Sequence, residues 1–381
     1  MGRVARRRDA PPVRDVGGYS VRVSDEANDP AWDDFLEQIP GSDYVQSSRW
    51  GRARASIGWP PVRVVVSEDG RVVAGAQMLT RALPVGGRVG LVRKGPVVRD
   101  DRPDLVGLVL DRMIAMGSAH HVRLLVVQPP RGREWMCGEM RQRGFRPGRL
   151  DVLDTQRTAA LRVDLRADLE ELLARMSGKC RQQIRLAERR GVTVRRGSEA
   201  DLSIFDRLKC AHSARLGYDR RSESYYAELW RAFPLRGRAE LFIAEYEGEP
   251  VSVLFAIPFG DTCNHVERLW SGRHGGLHAN VLLEWEVMKW AKSEGYAFTD
   301  FAATELPVAA AVLAGRPDSI DPRYGASIFK LRLGAQIVVD PPFLDYVHNP
   351  VLRLAYRSAP ERILRSRWVD GLIARFSRTG S

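Results

Sequence analysis

No apolar run in this chain approaches the roughly 18–20 residues needed to cross a bilayer, so no integral membrane segment is expected. The opening Met1-Gly2-Arg3-Val4-Ala5-Arg6-Arg7-Arg8 lacks the apolar stretch of a secretory signal, and residues 1–16 read as a basic, disordered tail. Cysteine is scarce: Cys137, Cys180, Cys210 and Cys263 stand apart, with no C-x-x-C pair to make a zinc ribbon or a redox couple. Isolated thiols fit a reducing compartment, and a cytoplasmic location is expected. His274 and His278 are four apart, but Gly275 and Gly276 between them argue for a loop, and no further ligands accompany them, so no metal is expected. Lysine is rare too, with six among 59 basic residues and arginine making up the rest. Positive charge is abundant, at a net +12. A genomic preference for arginine explains part of that excess; a basic surface also concentrates nucleic acid or phosphorylated ligands. With 44% hydrophobic and 28% charged residues over 381 positions, the chain can bury a core in one large domain or two ordinary ones.

An order of elements occurs twice. Residues 62–66 read as a strand, Glu68-Asp69-Gly70-Arg71 as a turn, and 72–79 as a second strand, since Asp-Gly between apolar runs signals a hairpin. A short strand near 89–92 follows, then a helix at 104–119 with Leu105, Leu108, Val109, Met113 and Ile114 near helical spacing. A strand at 122–127 and a helix near 134–143 complete the set. The second half repeats it: strand 241–246, turn Glu247-Gly248-Glu249-Pro250, strands 251–259 and 263–270, a helix at 280–293, a strand at 296–301, a helix at 327–332 and a strand at 335–339. Gly70 and Val122 are 52 residues apart, Gly248 and Tyr296 48, which supports a duplication. Hairpin, strand, helix, strand, helix, strand is the order of the acetyltransferase (GNAT-type) fold, although fold alone does not fix chemistry.

Residues 165–191 carry an interrupted apolar stripe, Leu169, Leu172, Leu173, Met176, Ile184 and Ala187, with Gly178 a possible break. Lys179, Arg181, Arg185, Arg189 and Arg190 crowd the other surface; a solvated face and an anion-binding face are both open readings. Residues 345–376 read as helical and basic, packing back on the first half.

Six separated stretches together resemble the Fem family of aminoacyl-tRNA-dependent peptidyltransferases. Gln46-Ser47-Ser48-Arg49-Trp50, with Gly58-Trp59 behind it, is similar to the family's opening Q-S-x-x-W segment. Arg93-Lys94-Gly95-Pro96 resembles its R-G-P strand end. Lys179-Cys180-Arg181-Gln182-Gln183-Ile184 through Gly191-Val192 resembles K-x-R-x-x-I-x-x-A-x-x-x-G-V. Arg215-Leu216-Gly217-Tyr218 through Arg221 to Tyr225-Tyr226 is the fourth piece, and Leu277-His278-Ala279-Asn280 through Asp300-Phe301 the fifth. Gly325-Ala326-Ser327-Ile328-Phe329-Lys330 is the sixth. They stand in family order over residues 46–334.

The resemblance implies an α/β (α+β) chain of two tandem GNAT-like subdomains, each a mixed, mostly antiparallel sheet flanked by helices, with a cleft between the lobes. The expected subdomains are residues 17–160, with 345–381 packing back, and 161–344. The coiled-coil arm of some relatives is missing. The resemblance also implies a monomer, a charged tRNA as donor, and an amine on a peptide acceptor, nucleotide- or lipid-linked, from a cell-wall precursor or a natural product. After Asp300-Phe301 the family often has Gly-Gly or Trp-Gly; here Ala302-Ala303 stands there.

An aminoacyl ester is already activated, so aminolysis needs a held neutral amine, a donor for the oxyanion and a route for the proton, with no cofactor. By resemblance Lys330 takes the electrostatic role, with Phe329 beside it, and Asp300 orients the amine. Arg54, at the position of a family lysine, and Arg221 are candidates for acceptor phosphates, which a guanidinium can bind in bidentate fashion. Trp50, Trp270 and Tyr225 complete the expected acceptor side. Lys179, Arg181 and Arg185 are the expected tRNA contacts. Two other functions compete. An acyl-CoA-dependent N-acyltransferase would use Arg273-His274-Gly275-Gly276-Leu277-His278 for the pyrophosphate, but His278 stands where a small residue belongs. A catalytically silent tRNA-binding protein would bind tRNA whether or not it is aminoacylated.

Overall fold

The computed structural model describes residues 14–83, 86–149, 158–217, 223–233 and 239–360. The described residues form two compact units, one within 14–149 together with 343–360, the other within 158–342. The sequence-based division at 160/161 would cut the strand Ala159–Asp164, which pairs wholly within the second sheet, so the division falls earlier.

In the first unit the strands Pro61–Glu68 and Arg71–Ala82 form the expected hairpin. Asp69 and Gly70 both have positive φ, 49° and 76°, the geometry a two-residue hairpin turn requires to match strand twist. Arg88–Val92 pairs antiparallel with the hairpin and parallel with Val122–Val127. A parallel pair needs a crossover, and the helix Pro103–Ala119 supplies it. Leu105, Val106, Val109, Leu110, Met113 and Met116 on one face of that helix are buried against Val64, Val66, Ala76, Met78, Leu125 and Val127. At Gly75 an added Cβ would lie 2.7 Å from the Trp32 ring and 2.5 Å from the Val64 carbonyl, so only glycine admits the fully buried indole. Strand Tyr19–Ser24 and helix Pro30–Gln38, not foreseen from sequence, extend the unit.

The second unit repeats the plan. Glu240–Tyr246 and Glu249–Phe259 form a hairpin around Glu247 and Gly248, φ 50° and 78°. Thr262–Trp270 follows antiparallel, then pairs parallel with Phe298–Thr304 through the helix Ala279–Ser293. Strand order is 193–196, 240–246, 249–259, 262–270, 298–304, 159–164, 336–339. Leu254, Ala256, Leu283, Val287, Met288 and Ala291 belong to its core, with Ile184 and Ala187. The interrupted helix is two helices, Leu169–Arg175 and Gly178–Arg189, because Ser177 caps the second through the Cys180 N–H.

Residues 345–376 are not one helix. Leu344–Val347 is a strand, antiparallel to Val122–Val127, and the helix spans Pro350–Ser358; residues 361–376 lie outside the described residues. Asp345 is 4% exposed and accepts from the Tyr356 hydroxyl (2.6 Å) and the Arg149 N–H (3.2 Å). Burial pushes its carboxyl up to about 6, against the pull of those two donors. A raised carboxyl favours the folded state fully below pH 3.8 and loses that contribution as pH rises through about 6. Asp345→Asn is therefore expected to raise unfolding stability at pH 8 by up to about 3 kcal/mol. Parallel denaturation curves at pH 3.5, 5 and 8 check it, the gain being near zero at the lowest pH, about half-developed at pH 5 and complete at pH 8.

Candidate active site

Lys330 and Phe329 lie on the helix Gly325–Arg332, both half-buried. The Lys330 ammonium donates to the Phe301 carbonyl at 2.6 Å. That carbonyl sits where the strand Phe298–Thr304 breaks register with Ala159–Asp164, between Asp300 and Ala303. Ala302 there is left-handed, φ 65°, a rare conformation for a residue with a Cβ, and its N–H donates to Asp300 Oδ1 at 2.8 Å. Lys330 and Asp300, from different motifs of the sequence, thus meet at one bulge. A bulge re-aims backbone groups out of the ladder, and such departures recur beside active sites.

Behind the bulge lies a charged group that sequence reading missed. Glu284, 2% exposed on the helix Ala279–Ser293, has Oε2 3.1 Å from His265 Nδ1 and Oε1 3.3 Å from Arg268 Nε. His265 Nε2 is 2.8 Å from the Thr299 hydroxyl, and its ring meets Phe301 edge-on at 4.8 Å. The Arg268 guanidinium lies 4.3 Å above the Phe329 ring, a cation–π contact. Burial pushes the Glu284 carboxyl up, but His265, Arg268 and Lys330 outweigh it and hold it below its usual range. Burial, then the Arg268 charge, pushes the Lys330 ammonium below its usual value, while Glu284, Asp300 and Glu305 pull it back. The signal was available in principle: a glutamate between Leu283 and Trp285, on a helix turn otherwise apolar, must have a buried partner. Nothing in the sequence says that the partner is on a strand 19 residues earlier.

Trp270 and Tyr225, in the same unit, pack against other residues. Trp270 is half-buried; its indole N–H donates to the Arg273 carbonyl (2.9 Å) and the Arg215 guanidinium stacks on it at 4.6 Å. Tyr225 is 2% exposed and packs edge-on against Tyr226 at 5.2 Å, so its ring is core packing rather than a surface for an acceptor. Trp50 and Arg54 belong to the first unit. Trp50 is 8% exposed and packs inside, against Tyr44, which leaves little ring for a ligand. Arg54 lies 5.5 Å from the Trp50 ring and 5.7 Å from Trp59, whose ring Arg81 also approaches at 5.4 Å. Arg221 is outside the described residues. Lys179 and Arg185 are exposed on the helix Gly178–Arg189, but Arg181 turns back to the Ala174 and Met176 carbonyls (3.0 and 2.6 Å) and caps the preceding helix.

Two successive α/β units, each with a mostly antiparallel sheet and one parallel pair bridged by a helix, define a tandem acetyltransferase-like (GNAT-like) protein. A tandem GNAT protein from the clavulanic acid biosynthesis pathway superposes with a TM-score of 0.50 at 13% identity, over 87% of this chain and 99% of that one. The crystal structure of FemX superposes with a TM-score of 0.74 at 19% identity, over 85% of this chain and 97% of that one. A model of the FemAB family matches residues 28–252, and the chain belongs to that family. Among curated relatives, the lipid II:glycine glycyltransferase of Staphylococcus aureus is 26% identical over 225 residues, 56% of this chain and 53% of the relative. The chain thus spans about half the length of the curated relatives it matches.

Proposed function

We propose that the protein is an enzyme, an aminoacyltransferase that moves an amino acid from a charged tRNA onto an amine of a peptide acceptor, a peptidoglycan precursor in the first instance. The observation that carries this reading is the half-buried Lys330 ammonium, fixed on the Phe301 carbonyl beside Asp300. An ammonium has three donors, and the Phe301 carbonyl takes one of them. In the reaction the acceptor nitrogen attacks the ester carbonyl, a C–N bond forms, and the C–O bond to the tRNA ribose breaks. The amine proton ends on the departing ribose oxygen or on solvent. The oxyanion formed in between gains most from a fixed positive charge in a partly dry site, which the Lys330 and Arg268 pair offers. The name of the Staphylococcus aureus relative supports a lipid-linked cell-wall precursor as acceptor class and glycine among the amino acids to test.

The test is incubation with tRNA charged with labelled amino acids and a panel of amines, muropeptide precursors included, with acetyl-CoA as a competing donor. Label arriving on a peptide amine only from charged tRNA supports the reading; acetyl transfer from acetyl-CoA alone overturns it.

A further outcome concerns the donor. Phosphate contacts release counterions, so affinity falls with salt in proportion to their number. Lys179→Ala and Arg185→Ala are each expected to lower charged-tRNA affinity and to reduce the salt slope by about one. Arg181→Ala should instead lower thermal stability, since its guanidinium holds helix-end carbonyls. Filter binding across a salt series, beside melting curves, separates the two effects.

A further inference from the structure

The two most exposed large apolar side chains among the described residues are Val351 (75%) and Leu354 (69%), and Leu352 (43%) lies beside them. All three are on the helix Pro350–Ser358, and none of its residues is buried. The helix is turned inside out. Its polar and aromatic groups face the first unit: Tyr356 donates to the buried Asp345, and Arg353 Nε donates to the Val347 carbonyl at 2.7 Å. Its Val351, Leu354 and Ala355 stripe, at helical spacing, faces outward. Asn349 caps its first turn through the Val351 and Leu352 N–H groups, so the outward face is held in a defined helix.

The exposed Arg123 and Arg357 flank that stripe. A shallow groove beside the helix is lined by His121, Arg123 and Asn349 along with Val351 and Leu352. At the other end the exposed Arg357 reaches the Gly144 carbonyl with one nitrogen only, while the half-buried Arg149 is tied inward to the Tyr356, Arg357 and Ala359 carbonyls. We propose that this helix is a docking face for an anionic membrane surface, with Val351, Leu352 and Leu354 entering the headgroup–acyl boundary and the flanking arginines meeting lipid phosphates. An apolar stripe rimmed by arginine is the chemistry of an in-plane interfacial helix.

Charge selects this occupant over the two others within reach. Residues 361–381, which follow the helix, carry five arginines and two acidic residues, a net +3, so laying them on this face would add like charge to an arginine-rich rim. A second copy of the chain, net +12, has the same fault. An anionic bilayer supplies both an apolar layer and the opposite sign. No described helix is long and apolar enough to cross a membrane, so the contact is peripheral. The proposal stands on the surface alone and does not depend on the aminoacyl-transfer reading.

The test is co-sedimentation of the full chain with phosphatidylcholine vesicles, with and without phosphatidylglycerol. Binding is expected only with the anionic lipid, and a Val351→Glu, Leu354→Glu double substitution should lower the partition about tenfold or more. Both positions are exposed, so the melting temperature should not change. Absence of partition onto phosphatidylglycerol vesicles overturns the proposal. Unchanged partition of the double variant overturns it too, by moving the contact elsewhere on the basic surface. So does a vesicle-free dimer that the substitution dissociates, which would make the occupant a second copy. A variant with a lowered melting temperature and undiminished partition points to coverage by the chain's own residues, and equally overturns it.

Discussion

Lys330→Ala is expected to lower kcat/KM for transfer from charged tRNA by about 10²–10³, the range seen when one preorganised donor to an oxyanion is removed. A modest loss of stability is expected with it, because Lys330 also offsets the buried Glu284 charge and satisfies the Phe301 carbonyl. Burial disfavours the Lys330 ammonium in the fold, so between its lowered folded value and 10.5 the unfolded chain binds more protons and stability rises with pH. The pH profile gives a second readout: in the parent, activity that needs the ammonium falls at a pH below 10.5. Lys330→Arg, which keeps its charge, should move that alkaline limb upward even if its rate is reduced. Steady-state kinetics across pH, with melting curves on the same samples, tests all three points. A Lys330→Ala protein with transfer within threefold of the parent would remove Lys330 from the chemistry.

Arg63→Met is expected to cost about 3–5 kcal/mol of unfolding stability, because it removes one partner from a buried ion group. Arg63 is fully buried on the strand Pro61–Glu68. Its Nη1 donates to Gln77 Oε1 at 2.8 Å, its Nη2 to the Glu26 carbonyl, and its Nε lies 3.6 Å from Asp29. Asp29, itself 4% exposed, caps the helix Pro30–Gln38 through the Trp32 N–H and is also paired with Arg22 at 2.7 Å. Asp33, one turn on, accepts from Ser48 through both N–H and hydroxyl, 2.6 and 2.7 Å. Methionine fills most of the volume and leaves these carboxylates with less compensation. Burial raises the Asp29 carboxyl, but Arg22, the Trp32 N–H and Arg63 together hold it below 3.8. Its stabilising contribution is present above 3.8 and is lost as pH falls through its lowered value. The gap between parent and variant should therefore be widest near neutral pH and narrow in acid. Denaturant titrations at three pH values decide it, and a loss under 1 kcal/mol at pH 7 would mean that the network is not coupled to folding.

Much of the fold was legible because its signals are local. Asp69-Gly70 and Glu247-Gly248 are turns that any hairpin of this twist would use, and the helices at 103–119 and 279–293 advertise themselves by apolar period. Leu344–Val347 was misread because its alternation is only four residues long and runs into a basic, helix-like stretch. Its pairing partner, Val122–Val127, is more than 200 positions away. The candidate site was half legible. Phe329-Lys330 and Asp300 are named by motif, whereas His265, Arg268 and Glu284 belong to no motif.

From sequence alone came the duplicated order of elements, the family and the residue types that bring chemistry, since periodicity, turn chemistry and motif order are properties of neighbours along the chain. Tertiary structure alone decided which charges share a site. A carboxylate on one helix, a histidine and an arginine on a strand and a lysine on another helix interact only once burial strips their water away, and that depends on packing rather than on spacing. It also decided that the helix Pro350–Ser358 turns its apolar side outward, because Tyr356 and Arg353 find partners inward that no local pattern predicts.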